Sequence, residues 1–420
     1  MKKAIFILFV FIIFPLLYAS WPVYQGLAFR GMLPMLGIGT VEWPQQQPTS
    51  FELLNSDYQV AAEKALKALS EQQRSISAPG YTAAVAINDQ LVWAGSVGWA
   101  DISEQKQMTT NSQLRIGSTS KALTAAGLAR LVANNQFNLD APLPRLFTEL
   151  PNQAWQQITA RQLASHMSGI PHYPENTELM GLIETVGAQT HFPNVLDAVE
   201  LFDDSDVMFA AGEQFSYSSL GTVLLSALMQ QQAGVDYQTL MQQQVFTPLQ
   251  MHATTTETPT IEIDNLVTPY WQNEHSPTEL KPWYNVDLSH RLAGGGWVST
   301  SKDLVMLGQG FMNNAYIPAH VRAEFWTPQK LNNGEVNPQN YGLGWRIHQL
   351  DLGEGYEKVT FVHHGGVSAG SQSFLMVIPQ YNLSLSVNAN IRTKVFSDFA
   401  KVSYDIARAF IDEINQQAKI

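Results

Sequence analysis

Leu114-Arg115-Ile116-Gly117-Ser118-Thr119-Ser120-Lys121-Ala122-Leu123 is the turning point of this 420-residue chain. Upstream, Tyr81 to Ile87 and Leu91 to Val97 are β-rich runs around Asn88-Asp89-Gln90, which predicts a hairpin with a three-residue turn. Downstream, Thr119 to Ala133 is Ala-rich and apolar on several sides, the pattern of a buried helix. Gly117 permits a sharp entry into that helix. A further helical spacing runs from Tyr58 to Leu69, and residues 134–290 alternate helical segments with Pro-rich loops. Strand candidates return at 342–347, 358–363, 373–378 and 383–388, followed by a helix from Phe396 to Gln416. Strands at both ends around a helical middle predict an α+β fold, with one antiparallel sheet built from both termini.

The turning point also carries chemistry. In S-x-x-K at a helix start, the spacing of three puts Ser and Lys on one face, one turn apart. A desolvated Lys can then lose its proton and act as a base towards the Ser hydroxyl. The pattern occurs three times: Ser103–Lys106, Ser118–Lys121 and Ser299–Lys302. The first lies in a polar loop. The third follows Gly294-Gly295-Gly296 and reads as a helix cap at Ser299 or Ser301. Only the second opens a helix that looks buried, so Ser118 and Lys121 are the candidate nucleophile and base. Tyr217, at the loop–helix junction Phe215-Ser216-Tyr217-Ser218-Ser219, can share the proton task. Val362-His363-His364-Gly365-Gly366 precedes a strand, and its glycines would let a substrate backbone approach a strand edge. The two histidines, being adjacent, point to opposite faces.

Composition removes other classes. A chain that is 45% hydrophobic is not disordered. A net charge of −12 argues against nucleic-acid binding, which needs clustered Lys and Arg. With no cysteine there is no disulfide, iron–sulfur cluster, thiolate zinc site or cysteine nucleophile. The histidines lack metal-ligand spacing, which argues against a metallohydrolase. Lys2 and Lys3 precede an apolar run from Ala4 to Ala19, the layout of an export signal. We therefore expect residues 1–20 to be a signal peptide or uncleaved signal anchor, 21–50 a Pro- and Gln-rich tether, and 51–420 the folded domain. The membrane is expected to be met through residues 4–20, with the domain on the periplasmic side of the inner membrane, or secreted or periplasmic after cleavage.

Three motifs in order, Ser118-Thr119-Ser120-Lys121, Tyr217-Ser218-Ser219 and His363-His364-Gly365, resemble the serine β-lactamase and penicillin-binding family in its class C and D-alanyl-D-alanine carboxypeptidase branch. Ile158 to Gly169, Leu292 to Asp303 and Tyr341-Gly342-Leu343-Gly344-Trp345 are similar to other segments of that family, and the resemblance covers about residues 55–410. Ile170-Pro171-His172-Tyr173 and His363 to Gly366 look like its mitochondrial serine β-lactamase-like branch. The resemblance implies a β-lactamase/transpeptidase-like fold and an acyl-enzyme mechanism that needs no metal or organic cofactor. Ser118 would attack, Lys121 and Tyr217 would move the proton, and the amides of Ser118 and Gly366 would form the oxyanion hole. Ser219, His363, His364 and Gly365 would bind substrate.

Two departures bear on the substrate. His363 stands where the family has a lysine, and Ser219 where it often has asparagine. A lysine is a permanent charge, whereas a histidine titrates near neutrality, with stronger anion binding expected below about pH 6.5. The expected function is thus an exported serine hydrolase of a small peptide, amide or ester, such as a cell-envelope peptide. The alternatives are a true β-lactamase and a catalytically silent penicillin-recognising or interaction protein. The oligomeric state stays open.

Overall fold

A computed structural model describes residues 13–37, 39–258, 262–273, 275–353 and 356–418. Its main sheet contains β1 (Thr49–Leu53), β2 (Gly80–Ile87), β3 (Gln90–Asp101), β4 (Arg346–Leu350), β5 (Val359–Ser368), β6 (Ser371–Ile378) and β7 (Leu383–Ala389). The spatial order is β4-β5-β6-β7-β2-β3-β1, all antiparallel. The β7–β2 ladder, with Leu383 opposite Ile87 and Ala389 opposite Tyr81, joins the two ends of the chain in one sheet. The α+β architecture expected from the sequence is therefore present. The β2–β3 hairpin turns on two residues rather than three. Asn88 and Asp89 both have positive φ, the conformation of a two-residue turn matched to strand twist. The first C-terminal strand starts at Arg346, later than expected, because Gly344 (φ 78°) holds the preceding loop against the helix that follows Ser118.

The helices include α1 (Phe14–Ala28), α2 (Gln59–Ser75), α3 (Ser120–Ala133), α4 (Leu179–Gly187), α5 (Ser219–Ala233) and α6 (Val402–Gln417). α2 and α6 cover one face of the sheet, over a core that includes Trp93, Phe374 and Phe410. The other face carries the helical region, whose core contains most of α3 and α5. α3 is buried around nearly its whole circumference, from Ser120 to Leu131, as its all-round apolar pattern requires.

The N-terminal region differs from a free tether. Residues 1–12, the start of the expected signal, lie outside the described residues. α1 lies on α4, and a Cβ on Gly26 would overlap the Val186 carbonyl oxygen. Phe29 packs against the rings of Trp283 and Tyr284 at 4.7 and 5.3 Å. Val41 and Glu42 pair with Leu280 and Glu279, and β1 forms the sheet edge beside β3. A Pro-rich stretch suits that edge, because Pro48 precedes the ladder and removes no bond from it. Among the described residues no helix is long and apolar enough to cross a membrane.

Candidate active site

Ser118 sits on a single 3₁₀ turn, Gly117–Thr119, that runs straight into α3. Gly117 has φ 51°, and a Cβ there would lie 2.5–2.7 Å from the backbone N, C and O of Val367. A Cβ on Gly366 would overlap the Ile116 carbonyl oxygen and lie 2.9 Å from the Ser118 nitrogen. Two glycines, one on each side, thus let the serine turn touch the backbone of β5.

One helical turn on, Lys121 is only 2% exposed. Its ammonium group reaches the Gly294 carbonyl at 2.6 Å, Ser219 Oγ at 2.9 Å and Ser118 Oγ at 3.4 Å. No carboxylate forms an ion pair with it among the described residues. Desolvation above all, then the positive charges of Arg346 and Arg291, hold its pKa well below the ordinary lysine value. A neutral amine at this distance can take a proton from the Ser118 hydroxyl.

Tyr217 lies over the same spot, its ring centre 4.8 Å from Lys121 Nζ and 5.3 Å from the guanidinium carbon of Arg346. Desolvation pushes its pKa up to about 12, opposed by Arg346 and by a hydrogen bond with Ser118. Its backbone is fixed by two imidazoles that accept from the start of α5. His166 Nδ1 accepts from Ser218 N at 3.3 Å, and His172 Nδ1 accepts from Ser219 N at 3.1 Å. Ser218 caps the helix by accepting from Gly221 N and donates to the Pro171 carbonyl. An acceptor imidazole must be neutral on that nitrogen. Desolvation, then the charge of Lys121, lowers His166 well below its usual value and His172 to about 4.

The third motif divides between the two faces of β5. His364 is wholly buried on the face of Ser118 and Tyr217. Its Nε2 meets the Tyr341 hydroxyl at 2.8 Å, and its Nδ1 meets the Gly365 carbonyl at 2.8 Å. That network assigns the proton to Nδ1, with Tyr341 as donor to Nε2. Tyr341 in turn packs edge-on to Tyr217. His363 faces away from the serine. Its ring stacks on Phe361 at 4.7 Å, lies 5.4 Å from Phe374 and bonds His348 at 2.8 Å. Desolvation, then His348 and Arg346, brings its pKa down to about 3. The expectation that His363 protonates near pH 6.5 and meets a substrate anion is thus overturned by strand alternation and burial. Gly365 shares its face, towards the ring of Phe396. Ser118, Lys121, Tyr217, Ser219 and Gly366 come together, with His364 behind Tyr341. His363 and the Cα face of Gly365 do not join them.

The other S-x-x-K stretches form no such group. Lys106 donates to the Asp264 carbonyl, Lys302 pairs with Glu52, and Thr300, not Ser299 or Ser301, caps the helix that follows. Sequence reasoning missed Arg346, His166, His172 and Tyr341 as parts of the site. Three of the four lie in segments quoted for the resemblance, but nothing local marks them as neighbours of Tyr217. Among the described residues no group of three or more His, Asp or Glu is placed to hold a metal ion.

The family model described as Beta-lactamase matches residues 63–407. The human "Serine beta-lactamase-like protein LACTB, mitochondrial" is 24% identical over 400 residues, covering 76% of this chain and 72% of that relative. "Penicillin-binding protein 4*" of Bacillus subtilis (strain 168) is 26% identical over 306 residues, covering 70% of this chain and 64% of that protein. The crystal structure of D-amino acid amidase from Ochrobactrum anthropi SV3 superposes with a TM-score of 0.67 at 20% identity, covering 85% of this chain and 99% of the amidase.

Proposed function

This chain belongs to the Beta-lactamase family, and we propose that it is a serine hydrolase that opens a peptide, amide or ester through an acyl-enzyme on Ser118. The observation that carries the reading is the buried Lys121, without a carboxylate partner, 3.4 Å from Ser118 Oγ. Lys121 takes the hydroxyl proton as Oγ forms a bond to the substrate carbonyl carbon. The proton passes through Lys121 and the Tyr217 phenol to the leaving group as its bond breaks. Water then attacks the acyl carbon as the same pair takes its proton, and that proton returns to Ser118 Oγ as the Oγ–carbon bond breaks and the acid leaves. Ser219 and the Gly294 carbonyl hold Lys121 in place.

The Ser118 amide supplies one donor to the oxyanion. For the other, β5 alternation favours His364-Gly365-Gly366 as the third motif, with His364 and Gly366 on the face of the serine. The residue after that triplet is Val367, whose backbone lies against Gly117, so we assign the second donor to Val367 instead of Gly366. Arg346 supplies the fixed positive charge beside Tyr217 that a neutral His364 does not.

A cell-envelope peptide or amide is the substrate class this reading favours, and the names of the amidase and penicillin-binding relatives support it. Lys2, Lys3 and the apolar run from Ala4 support export across the inner membrane. Leu16 and Leu17 at the start of α1, 64% and 57% exposed, support contact with that membrane.

Treatment of the full chain with a fluorophosphonate, followed by peptide mapping, tests the reading. We expect an adduct on Ser118 and on neither Ser103 nor Ser299. Lys121→Ala should slow labelling roughly 100- to 10,000-fold, the range of a lost general base. A folded protein that takes no label at Ser118 would sink the hydrolase reading.

A further inference from the structure

Beside the Ser118 turn, a pocket of about 130 Å³ is lined by three arginines, Arg30, Arg291 and Arg392, and by no acidic residue. A concentration of one sign is unexpected in a chain of net charge −12. None of the three joins an ion pair among the described residues. Arg30 donates to the Thr185 carbonyl, and Arg291 lies over the ring of Tyr173. The three are close enough to act on one another: after desolvation, Arg291 and then Arg392 lower the pKa of Arg30, with Tyr284 opposing them.

Among the described residues, three polar groups in the wall are buried without a protein partner, Arg291 Nε, Ser368 Oγ and Trp283 Nε1. Leaving such a group unpaired is costly, more so for a charged one, so each calls for a ligand or solvent partner. Ser368 follows Val367, whose backbone packs on Gly117. Arg291 lies over the ring of Tyr173, the residue after His172, whose Nδ1 accepts from Ser219 N at the start of α5. The opposite wall comes from Gly26 of α1, from Arg30 just after that helix, and from Val186 of α4.

We propose that this pocket is an anion subsite of the Ser118 cleft, taking a carboxylate or phosphate carried on one arm of the acyl substrate. Its place in catalysis rests on the hydrolase reading above; its capacity to bind an anion does not. Guanidinium forks suit planar and tetrahedral oxyanions, forming paired charge-assisted hydrogen bonds with them. The subsite gives the N-terminal segment a second task. Arg30, just beyond α1, closes the pocket, so docking of α1 on α4 completes the binding site.

Titration of inorganic phosphate, and separately of acetate, into the full chain carrying Ser118→Ala tests binding without turnover. We expect one saturable calorimetric site for at least one of the two anions. Arg392→Gln and Arg30→Gln, each added to that background, should weaken it by at least about tenfold. Arg30 is on the exposed rim, so its variant carries the test if Arg392→Gln fails to fold. The acetate and phosphate arms distinguish a carboxylate-bearing from a phosphate-bearing substrate. No saturable binding of either anion, or binding undiminished in the Arg30 variant, would overturn the proposal. Failure of Ser118 to label would overturn only the hydrolase reading.

Discussion

His363 and His364 are neighbours with the same side chain, on one strand, in one motif, yet they live in different chemical worlds. His364 is locked between the Tyr341 hydroxyl and the Gly365 carbonyl, behind the ring of Tyr217. His363 lies among Phe361, Phe374 and His348, on the core under α6. The two following glycines repeat the division. A side chain on Gly366 would strike the serine turn, and one on Gly365 would strike Phe396. A strand alternates with period two, so a motif's letters do not say which of them faces the chemistry. The pairing register decides it.

The glycines give the sharpest way to break this comparison. In Gly366→Ala the new methyl meets backbone atoms, the Ile116 carbonyl oxygen and the Ser118 and Thr119 nitrogens, which cannot swing aside. We expect kcat to fall roughly 100- to 1000-fold, as for loss of an oxyanion donor. In Gly365→Ala the methyl meets the far edge of the Phe396 ring at 2.5 Å, and that ring can turn. This variant should lose about 1–3 kcal/mol of stability to overpacking while keeping its kcat. Steady-state kinetics and denaturant melts on the pair check both halves. Equal loss of activity in the two variants would contradict the assignment of faces.

The histidines give a smaller contrast. His364 is wholly buried and bonds the Tyr341 hydroxyl, and Tyr341 packs on Tyr217, so we infer that His364 positions Tyr217 through Tyr341. His364→Ala should lower kcat by roughly ten- to a hundredfold, the scale of a slightly misplaced catalytic group, with KM little changed. His363→Ala should leave kcat unchanged. A variant of His363 that lost kcat while His364→Ala kept it would reverse the comparison.

The reach of the sequence follows the same physics. The placement of a buried Lys121 beside Ser118, unlike the lysines of the two other S-x-x-K stretches, was legible because helix spacing is local and the apolar pattern of α3 announces burial. The single sheet from both termini was legible from short β-rich runs at each end. The facing of β5 was not, because alternation fixes relative sides but not which side holds the serine. Nor was the role of Arg346, which reaches Tyr217 from a different strand. Residues 21–50 read as a tether because their prolines, glycines and glutamines carry no apolar period. Their pairing with residue 280 and with β3 is a tertiary fact.

The finest test separates stability from activity at a single residue. A neutral His363 in the fold, with its pKa down to about 3, faces an unfolded chain in which the imidazole titrates near 6.5. The unfolded state therefore binds the proton first as pH falls. The contribution of neutral His363 is fully present above pH 6.5 and is lost progressively between 6.5 and 3. While this group alone differs, the slope approaches about 1.4 kcal/mol per pH unit. His166, His172, His290 and His364 are depressed in the same sense, so the whole protein should weaken steeply in acid. His363→Leu removes one of these protons and keeps an apolar body against Phe361 and Phe374. Its melting temperature should fall less than that of the parent between pH 6.5 and 4, and differ little at pH 8. Its kcat/KM profile from pH 5 to 8 should overlay the parent's, because the ring it replaces never faces the cleft. An unchanged acid slope would mean that His363 titrates freely, and a shifted activity profile would return it to the site.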